Sequence, residues 1–278
     1  MPKAKVADLE IYYELEGSGE PVLLVPASWW PSDTWKVGVV PFLSRRFKTI
    51  ILDCRGTGRS SQPNNGYTVS QFAHDCVELL AHLKISRCHA VGFALGGQIM
   101  QALAIMRPDL VATLTIAASG AGTKTLDGGK RILSPDTERE IHTIGFERYI
   151  RNYIENDTMA FDPRFYRERP DVVAALADAV WSGQSKVAMF RRHEDARLTW
   201  DTLGEAAKVK VPTLILCGAA DDVARRGSTP VGTARRLAEA TPGAELSLIP
   251  NTKHMTFWDG DGALVALEDF LLRHPIEA

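Results

Sequence analysis

His89-Ala90-Val91-Gly92-Phe93-Ala94-Leu95-Gly96-Gly97 reads as a buried strand that breaks into a sharp turn and then opens a helix, expected over Gly96 to Met106. Gly92 and Gly96 flank the turn, and only a residue with no side chain lets the strand and helix backbones pass so closely. The centre of the turn is Ala94. Its tightest point therefore presents a methyl group and no reactive atom.

On either side of this stretch, strands and helices alternate. Upstream, Pro21 to Pro26 is a continuous apolar run, as expected of a strand covered on both faces. Phe47 to Asp53 is a second strand, and Lys5-Val6-Ala7 with Ile11-Tyr12-Tyr13 suggest a short antiparallel pair. Between Ser70 and Lys84, residues Phe72, Cys76, Leu79, Leu80 and Leu83 share one helical face, with Thr68 or Ser70 as the cap. Downstream, Val111 to Ala117 is another strand. Such alternation implies a mostly parallel sheet with right-handed crossovers and helices on both faces.

The alternation stops over residues 123–208, which are helical in pattern, rich in charge and interrupted by Pro135, Pro163 and Pro170. Helices are expected there over Glu138 to Glu155, Val172 to Trp181 and Gln184 to Leu198. Strands return at Val211 to Cys217 and Glu245 to Pro250, with helices over Val231 to Ala240 and Gly262 to Arg273. The expected organisation is a core of residues 1–122 and 209–278 enclosing a helical cap of residues 123–208.

The chain has 278 residues, 45% hydrophobic and 24% charged, with a formal net charge of −2. That balance is ordinary for a soluble globular protein and gives no footprint for nucleic acid or an anionic membrane surface. No apolar run approaches the roughly 20 residues of a spanning helix, and no apolar signal region follows Lys3 and Lys5. Cys54, Cys76, Cys88 and Cys217 are scattered, without a C-x-x-C pair. A cytoplasmic chain with reduced thiols, no metal and no cofactor is expected, acting on a small molecule; a homodimer is left open.

Acyl transfer through a hydroxyl nucleophile needs a base for its proton, a carboxylate to orient that base, and amides for the oxyanion. Beyond the turn, Cys217-Gly218-Ala219-Ala220-Asp221-Asp222 supplies carboxylates just after a late strand, and Asn251-Thr252-Lys253-His254 supplies a histidine after the last one. These segments, with Asp53-x-Arg55-Gly56-x-Gly58-x-Ser60 and Gly92-x-Ala94-x-Gly96-Gly97, resemble the α/β-hydrolase superfamily and most of all its cap-bearing ester and enol-lactone hydrolases. The resemblance covers nearly the whole core. It implies the α/β-hydrolase fold: a mostly parallel eight-stranded sheet flanked by helices, with a helical cap insertion.

In that frame the turn is the nucleophile elbow, G-x-S-x-G in the family, with Ala94 at the serine position. His254 is the expected base and Asp221 the expected acid, with Asp222 the less favoured alternative. The amides of Ser28 and Leu95 are the expected oxyanion hole. Family members commonly carry His-Gly where this chain has Pro26-Ala27, a change that keeps the backbone donor and alters the loop around it. No carboxylate follows the strand ending at Ala117 until Asp127, so the usual substitute place for the acid is empty. Gly56-Thr57-Gly58 lacks the third glycine and the following helix of a nucleotide-phosphate loop. His74, His82, His89, His142, His193 and His274 show no metal-ligand spacing.

Trp29, Trp30, Phe93 and Trp258 lie next to these positions in sequence, and Trp181, Met189 and Phe190 lie in the insertion. Together they are expected to wall an apolar pocket for a hydrophobic substrate. Arg191, Arg192 and His193 could meet an acidic substrate, although a charge run on such a helix is usually a solvated face. Three accounts of Ala94 stay open. It replaces a serine of a parent ester or lactone hydrolase, which makes this chain an inactive variant. It is native, as in the similar aminoacrylate hydrolases of pyrimidine breakdown, and His254 with Asp221 activates water against a C–N bond. Or the chain binds a ligand without turnover.

Overall fold

In the computed structural model, which describes residues 2–7, 9–119, 135–156, 160–181, 186–222 and 229–277, the apolar runs become one eight-stranded sheet. In chain order its first strands are β1 (Lys3–Val6), β2 (Leu9–Glu16) and β3 (Pro21–Val25). Two short helices, α1 (Asp33–Lys36) and α2 (Val39–Leu43), lead to β4 (Lys48–Leu52). Helix α3 (Val69–His82), β5 (Cys88–Phe93), α4 (Leu95–Met106) and β6 (Val111–Ala117) follow. The strands lie in the order β1-β2-β4-β3-β5-β6, and β7 (Thr213–Gly218) and β8 (Glu245–Ile249) complete the sheet. The β1–β2 and β2–β4 pairs are antiparallel, and every other pair is parallel.

Burial explains the patterns. Every residue of β5, β6 and β7 is buried, including His89 of β5, which bonds Thr113 and Glu20, whereas the edge strand β1 alternates exposed and buried. Helices α3, α4 and α11 (Pro230–Ala240) cover one face of the sheet. The other face is covered by α1, α2 and α12 (Gly262–Arg273), together with residues between β6 and β7 such as Ile150, Leu176 and Phe190. Thr68 caps α3 by accepting the amide of Gln71.

Between β6 and β7 the described residues form α5 (Pro135–Ile144), α6 (Phe146–Glu155), α7 (Pro163–Glu168), α8 (Pro170–Trp181), α9 (Val187–Thr199) and α10 (Thr202–Glu205). The helix expected over Glu138 to Glu155 is two helices, broken at Gly145, whose φ of 84° an L side chain rarely adopts. The prolines read as interruptions are starts: α5, α7 and α8 begin at Pro135, Pro163 and Pro170. At a first helical position the missing N–H would have had no partner in any case. The expected boundary at residues 122/123, Asp127 and Gln184 lie outside the described residues. Among the described residues no helix is long and apolar enough to cross a membrane.

Candidate active site

The parallel strands end at one edge of the sheet, and the loops there carry the predicted groups. At the end of β5 the chain turns through Ala94 with φ 52° and ψ −112°, an uncommon conformation for a residue with a side chain, and enters α4 at once. A Cβ on Gly92 would lie 2.1 Å from the Gly96 carbonyl oxygen, and one on Gly96 would lie 2.0 Å from that of Val25. The glycines therefore bring the tip of β5, the end of β3 and the start of α4 into backbone contact. The Ala94 amide donates to the Ala117 carbonyl at 2.9 Å, and the Ser119 hydroxyl donates to the Ala94 carbonyl at 2.8 Å. Gly96→Ala is expected to destabilise the fold by about 3 kcal/mol or more, because the methyl meets backbone that cannot step aside. A urea unfolding curve measures this.

Asp221 follows β7 and is 2% exposed, whereas Asp222 beside it faces solvent. The Asp221 carboxylate meets Nδ1 of His254 at 3.0 Å. Their two loops are knitted together: the Ala219 amide donates to the Ile249 carbonyl at 2.8 Å and the Ala220 amide to that of Thr252 at 3.0 Å. Gly218 lets them close, since a Cβ there would meet the Thr252 carbonyl oxygen at 2.2 Å. With Nδ1 engaged by the carboxylate, Nε2 is the nitrogen left for chemistry. The His254 ring lies 5.6 Å from that of Phe93, the residue just before Ala94.

Ser28 and Leu95 are both buried, on the loop after β3 and at the first position of α4. Neither amide donates to a described backbone or side-chain acceptor. The start of a twelve-residue helix adds its positive end at the same point.

The Asp53-to-Ser60 motif clamps the loop after β3. Asp53 is fully buried, and its Oδ1 accepts the Ser32 amide at 2.7 Å and the Ser32 hydroxyl at 2.6 Å. Its Oδ2 accepts the Arg59 amide at 2.8 Å. A Cβ on Gly58 would strike that carboxylate at 2.1 Å, so this glycine clears room for a carboxylate. Arg55 forms a bidentate pair with Asp75, both buried.

The structure divides the aromatic residues. Trp30, Phe93 and Trp258 form one buried cluster, with Phe93–Trp258 centroids 5.1 Å apart and Trp30 at 5.7 Å from both. Trp29 reaches across to Phe190 of α9 at 5.3 Å. Phe190 in turn meets Phe146 at 5.5 Å and Tyr149 at 6.1 Å, two α6 residues not singled out from the sequence. Trp181 is half-buried against Phe146 at 6.1 Å. Met189 departs from the expected wall: its sulfur accepts the Tyr67 hydroxyl at 3.0 Å, away from this cluster.

The Arg191–His193 run is divided: Arg191 is exposed, Arg192 half-buried and His193 buried. Arg191 pairs with Glu138 at 3.4 Å. Arg192 donates to the Pro63 carbonyl at 2.9 Å, and its guanidinium lies 5.4 Å from the Tyr67 ring centre. His193 is fully buried, with hydrogen bonds at both ring nitrogens. Among the described residues no group of His, Cys, Asp or Glu could hold a metal ion.

Comparison with known proteins gives this arrangement a family. The profile of the alpha/beta hydrolase fold family matches residues 21–261. A chain of Azorhizobium caulinodans assigned as the carbamate hydrolase RutD is 29% identical over 248 residues, 89% of each chain. The solved structure of Est816, described as an N-acyl homoserine lactone degrading enzyme, is 26% identical with a TM-score of 0.75, over 99% of this chain and all of that one. The enol-lactonase of Burkholderia xenovorans shares the fold with a TM-score of 0.80 at 24% identity, over 98% of this chain and 100% of that one.

Proposed function

The chain belongs to the α/β-hydrolase family, and from that premise we propose that it hydrolyses a small acyl compound by water attack, without a side-chain nucleophile. The observation that carries this reading is the His254–Asp221 pair, 3.0 Å apart, beside an elbow whose central residue is an alanine.

Nε2 of His254 takes a proton from a water molecule as the oxygen bonds to the substrate's carbonyl carbon. Asp221 holds the ring in the required tautomer and stabilises the imidazolium. The carbonyl oxygen becomes an oxyanion, held by the amides of Ser28 and Leu95. When the tetrahedral intermediate collapses, the bond to the leaving nitrogen or oxygen breaks, and His254 returns its proton to that atom. One water is consumed, and an acid and an amine or alcohol leave. A carbamate or related C–N substrate is favoured by the likeness to the Azorhizobium caulinodans chain assigned as a carbamate hydrolase. Trp29, Trp30, Phe93, Trp258 and Phe190 suit an apolar group on that substrate, with Trp181 at its outer margin.

One observation favours a second reading. Ala94 keeps a costly elbow conformation, of order 1–3 kcal/mol, that a nucleophilic serine would put to use. In that reading Ala94 stands where a parent enzyme has serine, the substrate is a carboxylic ester or lactone, and this chain is inactive. The likeness to the lactone-degrading Est816 supports it. A panel of aryl carbamates, anilides, aryl esters and N-acyl homoserine lactones, read by released amine, phenol or acid, separates the two. Turnover by the Ala94 chain, strongest on the carbamates, supports water attack. No turnover of any of them overturns it.

A further inference from the structure

We infer that His193, on the inserted helix α9, is the positioning residue that sets the Ser28 amide: it holds the loop after β3 by the very next amide. The inference rests on the oxyanion role assigned to Ser28 above, and it gives the insertion a part in the chemistry besides walling the site.

His193 spans two loops of the core. Its Nδ1 accepts the amide of Trp29 at 3.0 Å, and its Nε2 meets the carbonyl oxygen of Arg55 at 2.8 Å. A carbonyl can only accept, so the proton sits on Nε2 and Nδ1 offers its lone pair to Trp29. Only a neutral imidazole can do both at once. The ring is fully buried, 4.9 Å from the ring of Phe72 and 5.7 Å from that of Tyr67. Burial holds its pKa down to about 4, against the hydrogen bond to the Arg55 carbonyl and the charge of Glu194, while the Arg55 guanidinium adds to the lowering. The neutral form is therefore the resident one at neutral pH.

Each end of the bridge is fixed. Arg55 is locked by its bidentate pair with Asp75, and its Nη1 donates to the Gly66 carbonyl at 3.1 Å. Trp29 stands at φ 55°, a left-handed conformation uncommon for a bulky residue. The Ser28 N–H belongs to the preceding peptide unit, which meets the Trp29 amide plane at the Ser28 Cα, so fixing the Trp29 amide limits the rotation left to the Ser28 donor. An oxyanion donor misplaced by a fraction of an ångström loses much of its effect. Phe190, three residues earlier on α9, packs on the Trp29 side chain at 5.3 Å, so the same helix holds both the backbone and the ring.

The test uses His193→Phe, which keeps an aromatic ring in the site but deletes both hydrogen bonds. It is paired with His193→Asn, whose Oδ1 lies the same number of bonds from Cβ as Nδ1. Amide hydrogen exchange at Trp29 is read first, because it needs no substrate. His193→Phe is expected to speed it about tenfold or more, and His193→Asn to keep most of the protection. On a substrate that the parent chain turns over, His193→Phe is expected to lower kcat about 10²-fold with KM within about twofold, and His193→Asn to recover at least tenfold of that loss. Unchanged exchange at Trp29 in a folded His193→Phe overturns the inference. So does faster exchange with kcat untouched, or a kcat that Asn does not recover. Turnover absent from the parent chain, with the exchange result as expected, strikes at the hydrolase reading and leaves the loop tie standing.

Discussion

His254→Ala is expected to lower kcat by about 10²–10⁴-fold, the share of the barrier that a positioned general base supplies. The loss falls in kcat, since the imidazole acts on the water and the leaving atom while the aromatic cluster does the binding. The fold is expected to survive. The loop of His254 is held by its backbone: the Lys253 amide donates to Asp259 at 2.8 Å and the Met255 amide to the Ala160 carbonyl at 2.9 Å. The His254 side chain itself is among the more exposed in the site, at 13%. Steady-state kinetics beside a thermal unfolding curve separate the two effects. An unchanged kcat would remove His254 from the mechanism.

Asp75→Ala is expected to produce the largest loss of stability, about 3–5 kcal/mol, read as a fall in the urea midpoint. Truncation leaves the Arg55 guanidinium, 7% exposed, without the carboxylate that it grips with two nitrogens. A loss of that size is a large part of the roughly 5–15 kcal/mol that holds a domain together. The consequence reaches the site as well. Arg55 presents its carbonyl to His193, and Asp75 is the far anchor of that bridge. Loss of stability and faster exchange at Trp29 are therefore expected together in this variant.

What could be read from the sequence was whatever local pattern specifies. Buried strands announced themselves as apolar runs without alternation, and the elbow by two glycines that neighbouring backbone forbids to change. The order elbow, carboxylate, histidine pointed to His254 and to Asp221 ahead of Asp222, and the structure brings His254 and Asp221 within 3.0 Å while Asp222 faces solvent. Gly145 and the prolines at 135, 163 and 170 were ambiguous for a physical reason: the residues that stop helices also sit at their ends. Met189 shares the buried side of α9 with Phe190, but its hydrogen-bond partner Tyr67 lies 122 residues away, beyond the reach of any local pattern. His193 has partners 164 and 138 residues away, which no window of sequence contains. One local signal did exist. Met189, Phe190, His193 and Ala196 are all buried on α9 at helical spacing, and a histidine inside an apolar stripe marks the inward face.

The most direct test of the central claim compares the Ala94 chain with Ala94→Ser on the same carbamate, ester and lactone panel, following kcat/KM and the intact protein mass during turnover. Water attack predicts turnover by the Ala94 chain, dependent on His254, with no covalent adduct at any time. A silent Ala94 chain beside an Ala94→Ser variant that turns over an ester or lactone and accumulates a single acyl adduct would contradict it, and would assign the site to a serine hydrolase.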